Sequence, residues 1–221
     1  FDMAVLALSV PLVTGAHVVL PRREDAMDAD ALASLITRHG IGMMQATPTT
    51  WHLLLDAGWA APAGFRALCG GEPLPPSLAR RLLAAGGGLW NLYGPTETTV
   101  WSTLTRITDP DARITIGTPI ANTQVWVLDE QMKPCPVGAE GEICIGGTGV
   151  ANGYFRRPEL TARRFVTGPL PIAPRRGGDD DLRGLPRVRR GGRASAGARG
   201  QGVRHRLLAR LGRQGLLPAR R

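Results

Sequence analysis

The segment NLYGPTETT, residues 91–99, combines a strand end, a tight turn and a group of oxygen-bearing side chains. Tyr93 closes an apolar run, Gly94 and Pro95 enforce a turn, and Glu97 follows among three threonines. Glycine permits a ligand to approach the backbone closely, and proline fixes the backbone angle of the turn. Hydroxyls beside a lone carboxylate suit a nucleotide phosphate bridged to Mg²⁺, because this cation prefers hard oxygen ligands. On composition alone, a Thr-rich strand and turn without a ligand remains the alternative.

These residues lie in a sequence that alternates predicted helices and strands. Apolar patterning predicts helices at 5–12, 28–39, 48–55 and 76–85, and strands at 17–20, 41–46, 65–69 and 89–93. Strands that alternate with helices in this way predict an α/β fold with a mostly parallel sheet. From about residue 114, shorter strands joined by Gly- and Pro-containing turns predict a small β subdomain. We therefore predict an α/β part over residues 1–113 and a small β subdomain over 114–168.

The last part of the chain has a different character. Net charge is +9, yet residues 175–221 alone hold 14 Arg and 3 Asp, or +11, together with 10 Gly and no aromatic residue. Three interpretations remain open for this tail, which we place at 169–221. It is a solvated, disordered basic tail, or an Arg/Gly segment that binds nucleic acid, or a stretch read out of frame. The missing aromatics argue against nucleic acid, since single-strand binders stack bases on aromatic rings.

Composition restricts the remaining classes of protein. A hydrophobic fraction of 43% supports a core, and no apolar run reaches the roughly 18 residues of a membrane span, so we expect no membrane partner. The three cysteines, Cys69, Cys135 and Cys144, have no CxxC pairing and no metal-ligand spacing. Reduced thiols that pack as small hydrophobes are the simplest interpretation, and they predict a cytoplasmic location. The start at Phe1 within an apolar stretch indicates a piece of a longer protein.

Five segments follow one another in the chain: FD at 1–2, QATPTT at 45–50, LCGGEPL at 68–74, NLYGPTETT at 91–99 and GEICIGGTGVANGY at 141–154. Their order and spacing resemble those of adenylate-forming enzymes, specifically the adenylation domains of nonribosomal peptide synthetases. The resemblance extends over about residues 1–167 and implies that the chain is part of the large N-terminal domain of such an enzyme. It also implies ATP and Mg²⁺ as cofactors, and a peptidyl carrier domain of the same synthetase, bearing phosphopantetheine, as partner.

The resemblance implies a role for each matching position of the nucleotide site. Thr96 would contact the α-phosphate and Glu97 would ligate Mg²⁺, and these two residues are the candidate catalytic pair. Tyr93 would pack on adenine and Asn91 would hydrogen-bond the edge of the base. The remaining nucleotide-binding candidates, at the turn and on the adenine side of the cleft, are Gly94, Gly71 and Glu72. No protein nucleophile is required, because the substrate carboxylate itself attacks the α-phosphorus.

The same mapping implies an amino-acid pocket. Asp2 would hold the α-ammonium of the substrate, although a helix N-cap is an alternative role for this residue. The other pocket positions, which are bulky or uncharged, are Met3, Leu6, Gln45, Leu68, Gly70, Leu92, Val100 and Trp101. A pocket filled by its own walls favours a very small side chain, so glycine is the first expected substrate and alanine the second. Plain core packing is the alternative for Leu92 and Trp101.

The sequence also departs from the family pattern. The phosphate-gripping loop is expected before Phe1, and no TGD string follows RPELTARRF at 157–165; Thr167 is followed by Gly-Pro instead. Lys133, the only lysine, lies in a turn and is expected at the surface rather than in catalysis. We therefore expect amino-acid adenylation from the intact parent and little activity from this chain alone. The alternatives are an acyl- or aryl-CoA ligase of the same superfamily, or a basic nucleic-acid-binding module.

Overall fold

The computed structural model describes residues 2–167 and the backbone of residues 201–210. A five-stranded sheet forms its first part, with strands in the order in which they occur in the chain. These are β1 (Met43–Ala46), β2 (Arg66–Gly70), β3 (Gly88–Tyr93), β4 (Thr103–Ile107) and β5 (Thr118–Pro119). The first three strands are parallel to one another. β4 pairs antiparallel with β3, and β5 pairs antiparallel with β4. The parallel pairs place the carboxyl ends of β2 and β3 side by side, an edge where α/β proteins usually bind ligands.

Helices connect these strands. They are α1 (Met3–Thr14), α2 (Arg23–Met27), α3 (Ala29–Arg38), α4 (Pro48–Asp56) and α5 (Pro76–Ala84). The predicted start of α3 is confirmed: Asp28 caps it by accepting a 2.8 Å hydrogen bond from the amide of Ala31. Proline stands in the first turn of both α4 and α5, where its missing N–H costs nothing.

One face of the sheet carries the main core. The amphipathic helices α3, α4 and α5 pack their apolar sides against alternate residues of β2 and β3, among them Ala67, Cys69 and Leu89. An aromatic group of Trp51, Trp59 and Phe65 closes this core, with ring centroids 5.2–6.3 Å apart. The opposite face of the sheet carries a smaller apolar cluster beneath the start of α1.

A second sheet follows in the chain, in the order β6-β7-β9-β8. Its strands are β6 (Thr123–Leu128), β7 (Glu140–Gly147), β8 (Phe165–Thr167) and β9 (Gln201–Arg210), and α6 (Pro158–Arg164) precedes β8. All its pairings are antiparallel. The fold is therefore mixed α/β followed by a β sheet, as predicted. The division after residue 113 stays a prediction, and the structure adds that the first sheet extends to Pro119.

One expectation differs from the structure. The strand predicted at 17–20 is wrong, because these residues adopt no regular structure; a lone apolar run forms a strand only where a neighbour can pair with it. Within the tail, whose three interpretations stay predictions, residues 201–210 form β9, and its backbone pairs with both β7 and β8. The free edge of β7 supplies the hydrogen-bonding groups that a further strand needs. The rest of the tail, 168–200 and 211–221, lies outside the described residues, as does Phe1.

Among the described residues, none of the helices combines the length and the apolar character that crossing a membrane requires. All three cysteines are free thiols; Cys69 and Cys144 are buried and Cys135 is half-buried. Lys133 is exposed, as expected.

Candidate active site

The 91–99 segment leaves the carboxyl end of β3 and folds back on itself. Residues 96–98 form a single 3₁₀ turn, and Ser102 donates a 2.8 Å backbone hydrogen bond to the carbonyl of Tyr93. Gly94 is required at this crossing, since a Cβ there would lie 2.5 Å from the carbonyl oxygen of Val100. Thr99 and Val100 both adopt left-handed backbone angles, with φ of 62° and 66°. Such angles are uncommon for side chains of these types, and they are typical of ligand-binding turns.

The alternation of β3 separates two groups of predicted site residues. Asn91 and Tyr93 point to the face that carries the helices, while Leu92 points to the face beneath α1. Asn91 is 6% exposed, and its side-chain amide donates a 2.8 Å hydrogen bond to the carbonyl of Thr115. This bond fixes the amide, so its oxygen is oriented as an acceptor. Tyr93 packs beside the second sheet, and burial raises the pKa of its phenol above the ordinary value of 10.0.

Gly71 and Glu72 follow directly on β2 and lie beside this strand end. Gly71 has a φ of +85°, so glycine is the residue that this turn requires. The carboxylate of Glu72 accepts a 3.3 Å hydrogen bond from the hydroxyl of Thr49, at the start of α4. Just before the turn, burial, helped by the charge of Glu72, raises the pKa of the Cys69 thiol to about 12. That thiol is therefore a packed, protonated side chain.

Residues that follow β7 in the chain hold Glu97 in place. The hydroxyl of Tyr154 donates a hydrogen bond to Glu97 Oε1, and Arg164 Nε lies 3.7 Å from the same oxygen. The hydrogen bond to Glu97 is the largest cause of the raised pKa of Tyr154, because a phenolate could not donate it. The backbone amide of Ala151 also donates to the Glu97 carbonyl at 2.8 Å. The loop after β7 thus forms one wall of the site.

The predicted cation site depends on the carboxylate of Glu97. No cluster of three or more His, Cys, Asp or Glu side chains with metal-binding geometry occurs in residues 2–167 or 201–210. Glu97 is the predicted ligand, and its side chain is only 16% exposed at the end of the turn. Mg²⁺ is commonly held by one or two carboxylates, with phosphate oxygens and water filling its remaining positions. The donor set present here is of that kind.

The opposite face of β3 carries the predicted amino-acid pocket. Leu68, Leu92, Val100 and Trp101 form a buried cluster, and Met3 and Leu6 of α1 pack against it. The Trp101 indole N–H donates a 2.8 Å hydrogen bond to Gln45 Oε1. Gln45 in turn donates from Nε2 to the carbonyl of Met3, at 3.2 Å. One amide side chain therefore fixes both the tryptophan ring and the start of α1.

Gly70 also belongs to this cluster, because the absence of a side chain leaves room for Trp101. A Cβ at this position would lie 2.3 Å from Trp101 Cη2 and 2.9 Å from the carbonyl oxygen of Leu92. The tryptophan ring therefore occupies the volume that any side chain at position 70 would need. Asp2 stands half-buried at the start of α1, and its side chain makes no capping hydrogen bond. The structure consequently gives no support to the N-cap as the role of Asp2.

The structure brings eight of the nine pocket candidates together around Trp101, and Asp2 stands at the start of the adjoining helix α1. The nucleotide candidates lie in or just after the carboxyl-terminal ends of β2 and β3. The structure adds three residues that sequence reasoning did not select: Thr49, Tyr154 and Arg164. Tyr154 and Arg164 lie within the GEICIGGTGVANGY and RPELTARRF segments. Those motifs could have suggested them, but the sequence alone does not show that they meet Glu97.

Comparison with known proteins finds a family match and similar synthetases. The family model described as AMP-binding enzyme matches residues 1–155. The dimodular nonribosomal peptide synthase of Bacillus subtilis (strain 168) is 46% identical over 170 residues, which cover 76% of this chain and 7% of that protein. Tyrocidine synthase 2 of Brevibacillus parabrevis is 39% identical over 175 residues, which cover 76% of this chain and 5% of that protein. The chain thus spans less than a tenth of the length of these relatives.

Solved structures give a similar result. A four-domain nonribosomal peptide synthetase bound to AMP and glycine superposes with a TM-score of 0.82 at 41% identity, covering 99% of this chain and 15% of that one. A nonribosomal peptide synthetase protein that contains adenylation and PCP domains superposes with a TM-score of 0.77 at 27% identity, covering 100% of this chain and 41% of that one.

Proposed function

The chain belongs to the AMP-binding enzymes, and from this premise we propose that it is part of an adenylation domain for a small amino acid in nonribosomal peptide synthesis. The parent would join the amino-acid carboxylate to the α-phosphate of ATP, giving aminoacyl-AMP and pyrophosphate. The aminoacyl group would then pass to the phosphopantetheine thiol of a peptidyl carrier domain as a thioester. Relatives and structural neighbours that are themselves nonribosomal peptide synthetases support this proposal.

One observation carries the proposal: the turn after β3 places Glu97 and Trp101 at the same strand end, on two sides of a single chain reversal. On one side lie the exposed Thr96 and Thr99 and the half-buried carboxylate of Glu97, which are oxygen groups that suit a triphosphate and its cation. On the other side, the buried apolar cluster that contains Leu92 and Trp101 lies beneath α1. A substrate bound between them would present its carboxylate to the nucleotide while its side chain faces the pocket. Holding two reactants in such a geometry supplies much of the catalysis in phosphoryl and nucleotidyl transfer.

Each residue of the proposed nucleotide site would have its own role. Asn91 would accept a hydrogen bond from the adenine amine, because its own amide nitrogen is already committed to Thr115. Tyr93, Gly71 and Glu72 would line the base, and Thr96 would contact the α-phosphate. Glu97 is the residue that would hold Mg²⁺. When bound, the cation offsets the negative charge of the phosphates and of the departing pyrophosphate.

The packing around Trp101 supports a very small amino acid. Trp101 is 4% exposed, is fixed by Gln45, and fills the space next to Gly70. The carboxylate of Asp2 would bind the α-ammonium of the substrate, a charge-assisted contact that an acid without an amine does not need. Glycine is therefore the proposed substrate, with alanine second. The 41% identical neighbour was solved with AMP and glycine, which agrees with this choice.

The test is ATP–pyrophosphate exchange by the parent enzyme that contains this segment, measured against the set of common amino acids. We expect exchange with glycine, weaker exchange with alanine and little with valine or leucine. Trp101→Val should shift the preference towards larger side chains, and Asp2→Ala should abolish exchange with every amino acid. Exchange that depends on a fatty or aryl acid, and that is unaffected by Asp2→Ala, would instead identify an acyl- or aryl-CoA ligase.

A further inference from the structure

Two side chains from the end of the second sheet converge on Glu97. The hydroxyl of Tyr154 donates to Glu97 Oε1, and Arg164 Nε lies 3.7 Å from that same oxygen. Tyr154 is 57 residues away from Glu97 in the sequence, and Arg164 ends α6. A single carboxylate oxygen therefore receives a neutral hydrogen-bond donor and a cation from a distant part of the chain.

Tyr154 is fixed independently of Glu97. Its backbone amide donates a 2.9 Å hydrogen bond to the hydroxyl of Thr161. Its ring packs edge-on against Phe165, with centroids 5.5 Å apart. Gly153 has a φ of +137°, and a Cβ there would lie 2.5 Å from the methyl of Thr161, so the backbone approaches α6 closely. These contacts fix the phenol of Tyr154 without help from Glu97, as a positioning group requires.

The contacts of Tyr154 and Arg164 have different effects on the negative charge of Glu97. Tyr154 orients the carboxylate and leaves its negative charge intact. Arg164 neutralises it, and the pair is partly shielded, with Arg164 33% and Glu97 16% exposed. A guanidinium and a divalent cation cannot both approach one carboxylate oxygen closely without repelling each other. Repulsion from Arg164 therefore opposes metal binding at Glu97, and withdrawal of Arg164 would relieve it, while metal binding benefits from the orientation that Tyr154 provides.

We propose that Tyr154 is a positioning residue for the metal-binding carboxylate of Glu97, and that Arg164 is the resident counter-cation that a divalent metal displaces. This inference rests on the proposed function, in which Glu97 holds Mg²⁺. It assigns the loop after β7 and helix α6 a part in metal binding, because they supply both groups. It also explains why the loop is tied to the turn by a second bond, from the hydroxyl of Thr99 to the carbonyl of Gly149 at 2.7 Å.

The experiment measures binding of Mn²⁺ by electron paramagnetic resonance to the 221-residue chain, in the presence of α,β-methylene-ATP. Tyr154→Phe should weaken Mn²⁺ binding about tenfold, as loss of a residue that orients a metal ligand usually does. Arg164→Gln should tighten it about two- to fivefold, since a competing ion pair of modest strength is removed. Arg164→Lys, which keeps the cation, should remain close to the unmodified chain.

Arg163→Gln is the matched control. It makes the same charge change one residue away, on an exposed side chain of the same helix, and should leave Mn²⁺ binding unchanged. Opposite shifts for Tyr154→Phe and Arg164→Gln separate this proposal from a general loosening of the loop, which would move both in one direction. Shifts in the same direction, no shift in either variant, or an equal shift in the Arg163→Gln control would overturn it.

Glu97→Gln distinguishes failure of this inference from failure of the proposed function. If Glu97→Gln leaves Mn²⁺ binding unchanged, Glu97 is not the metal ligand and the proposed nucleotide site is wrong at this position. If it weakens binding strongly while the other two variants change nothing, the positioning roles alone are wrong. Failure of the unmodified chain to bind Mn²⁺ at millimolar concentration would overturn the positioning roles and leave the proposed activity to the pyrophosphate exchange experiment.

Discussion

Replacement of Gly70 by alanine tests the packing of the amino-acid pocket most directly. The new Cβ would lie 2.3 Å from Trp101 Cη2, 2.7 Å from Cζ3 and 2.9 Å from the carbonyl oxygen of Leu92. Carbon atoms in good contact are about 3.5–4.0 Å apart, so the tryptophan ring would have to move by more than ~1 Å. The ring is buried and its N–H is committed to Gln45, so this movement has a cost.

The magnitude follows from the two contacts that are disturbed. Overpacking of a filled core costs about 1–3 kcal/mol. Weakening of the indole hydrogen bond adds about 1 kcal/mol. We therefore expect Gly70→Ala to lower the free energy of unfolding by about 2–4 kcal/mol, measured by urea denaturation followed by circular dichroism. Gly42→Ala is the matched control, because a Cβ there meets no atom within 4 Å. It should change stability by less than about 0.5 kcal/mol.

A double mutant isolates the contact with the ring. In a Trp101→Leu background the ring atoms that collide with the new methyl group are gone, although the carbonyl of Leu92 remains close. Gly70→Ala should then cost at least about 1 kcal/mol less than it does in the unmodified chain. An equal cost in both backgrounds, or a Gly70→Ala variant as stable as the Gly42→Ala control, would refute the view that Trp101 fills this space.

Substitutions at Asp28 and Gln45, and the reactivity and titration of Cys69, test other contacts. Asp28→Ala should destabilise the chain by about 1 kcal/mol in urea denaturation, since α3 loses its cap, whereas Asp28→Asn should retain most of it. Gln45→Leu should cost about 1–3 kcal/mol by the same measurement, because the indole N–H of Trp101 loses its acceptor, and Gln45→Glu should cost less. The Cys69 thiol should resist Ellman's reagent at pH 8, where Cys135 reacts, because the pKa of Cys69 is raised to about 12. Since the unfolded chain releases that proton above its ordinary pKa of 9.0, the free energy of unfolding should fall as pH rises from 9 towards 12.

Local sequence signals predicted the parallel strands and four helices, α1, α3, α4 and α5, because each depends on nearby residues; the short helices α2 and α6 were not predicted. The Asp28 cap, the prolines that open α4 and α5, and the apolar runs of β2 and β3 all act within a few positions. The error at 17–20 has the same origin. An apolar run is a local signal, whereas a strand also needs a partner, and residues 17–20 have none in the described sheets.

The contacts of the candidate site could not be predicted from local sequence signals, because they join segments that are distant in the sequence. Gln45 meets Trp101 across 56 positions, and Tyr154 meets Glu97 across 57. A motif can name the residues at both ends of such a pair, but it does not show that they touch. Nor does it indicate β9, whose pairing depends on the free edge that β7 offers rather than on a pattern within 201–210.

The two halves of the candidate site are coupled through the backbone between Tyr93 and Trp101. Strand alternation places Tyr93 on the face proposed for the nucleotide and Leu92 on the face proposed for the amino acid. The two consecutive left-handed residues, Thr99 and Val100, then return the chain so that Trp101 joins Leu92 rather than Tyr93. A residue that strains this reversal would therefore move Glu97 and Trp101 together. Substitution at Gly94, where a Cβ would lie 2.6 Å from the Cα of Trp101, should thus disturb metal binding and amino-acid selection in one step, whereas Gly70→Ala should disturb selection alone.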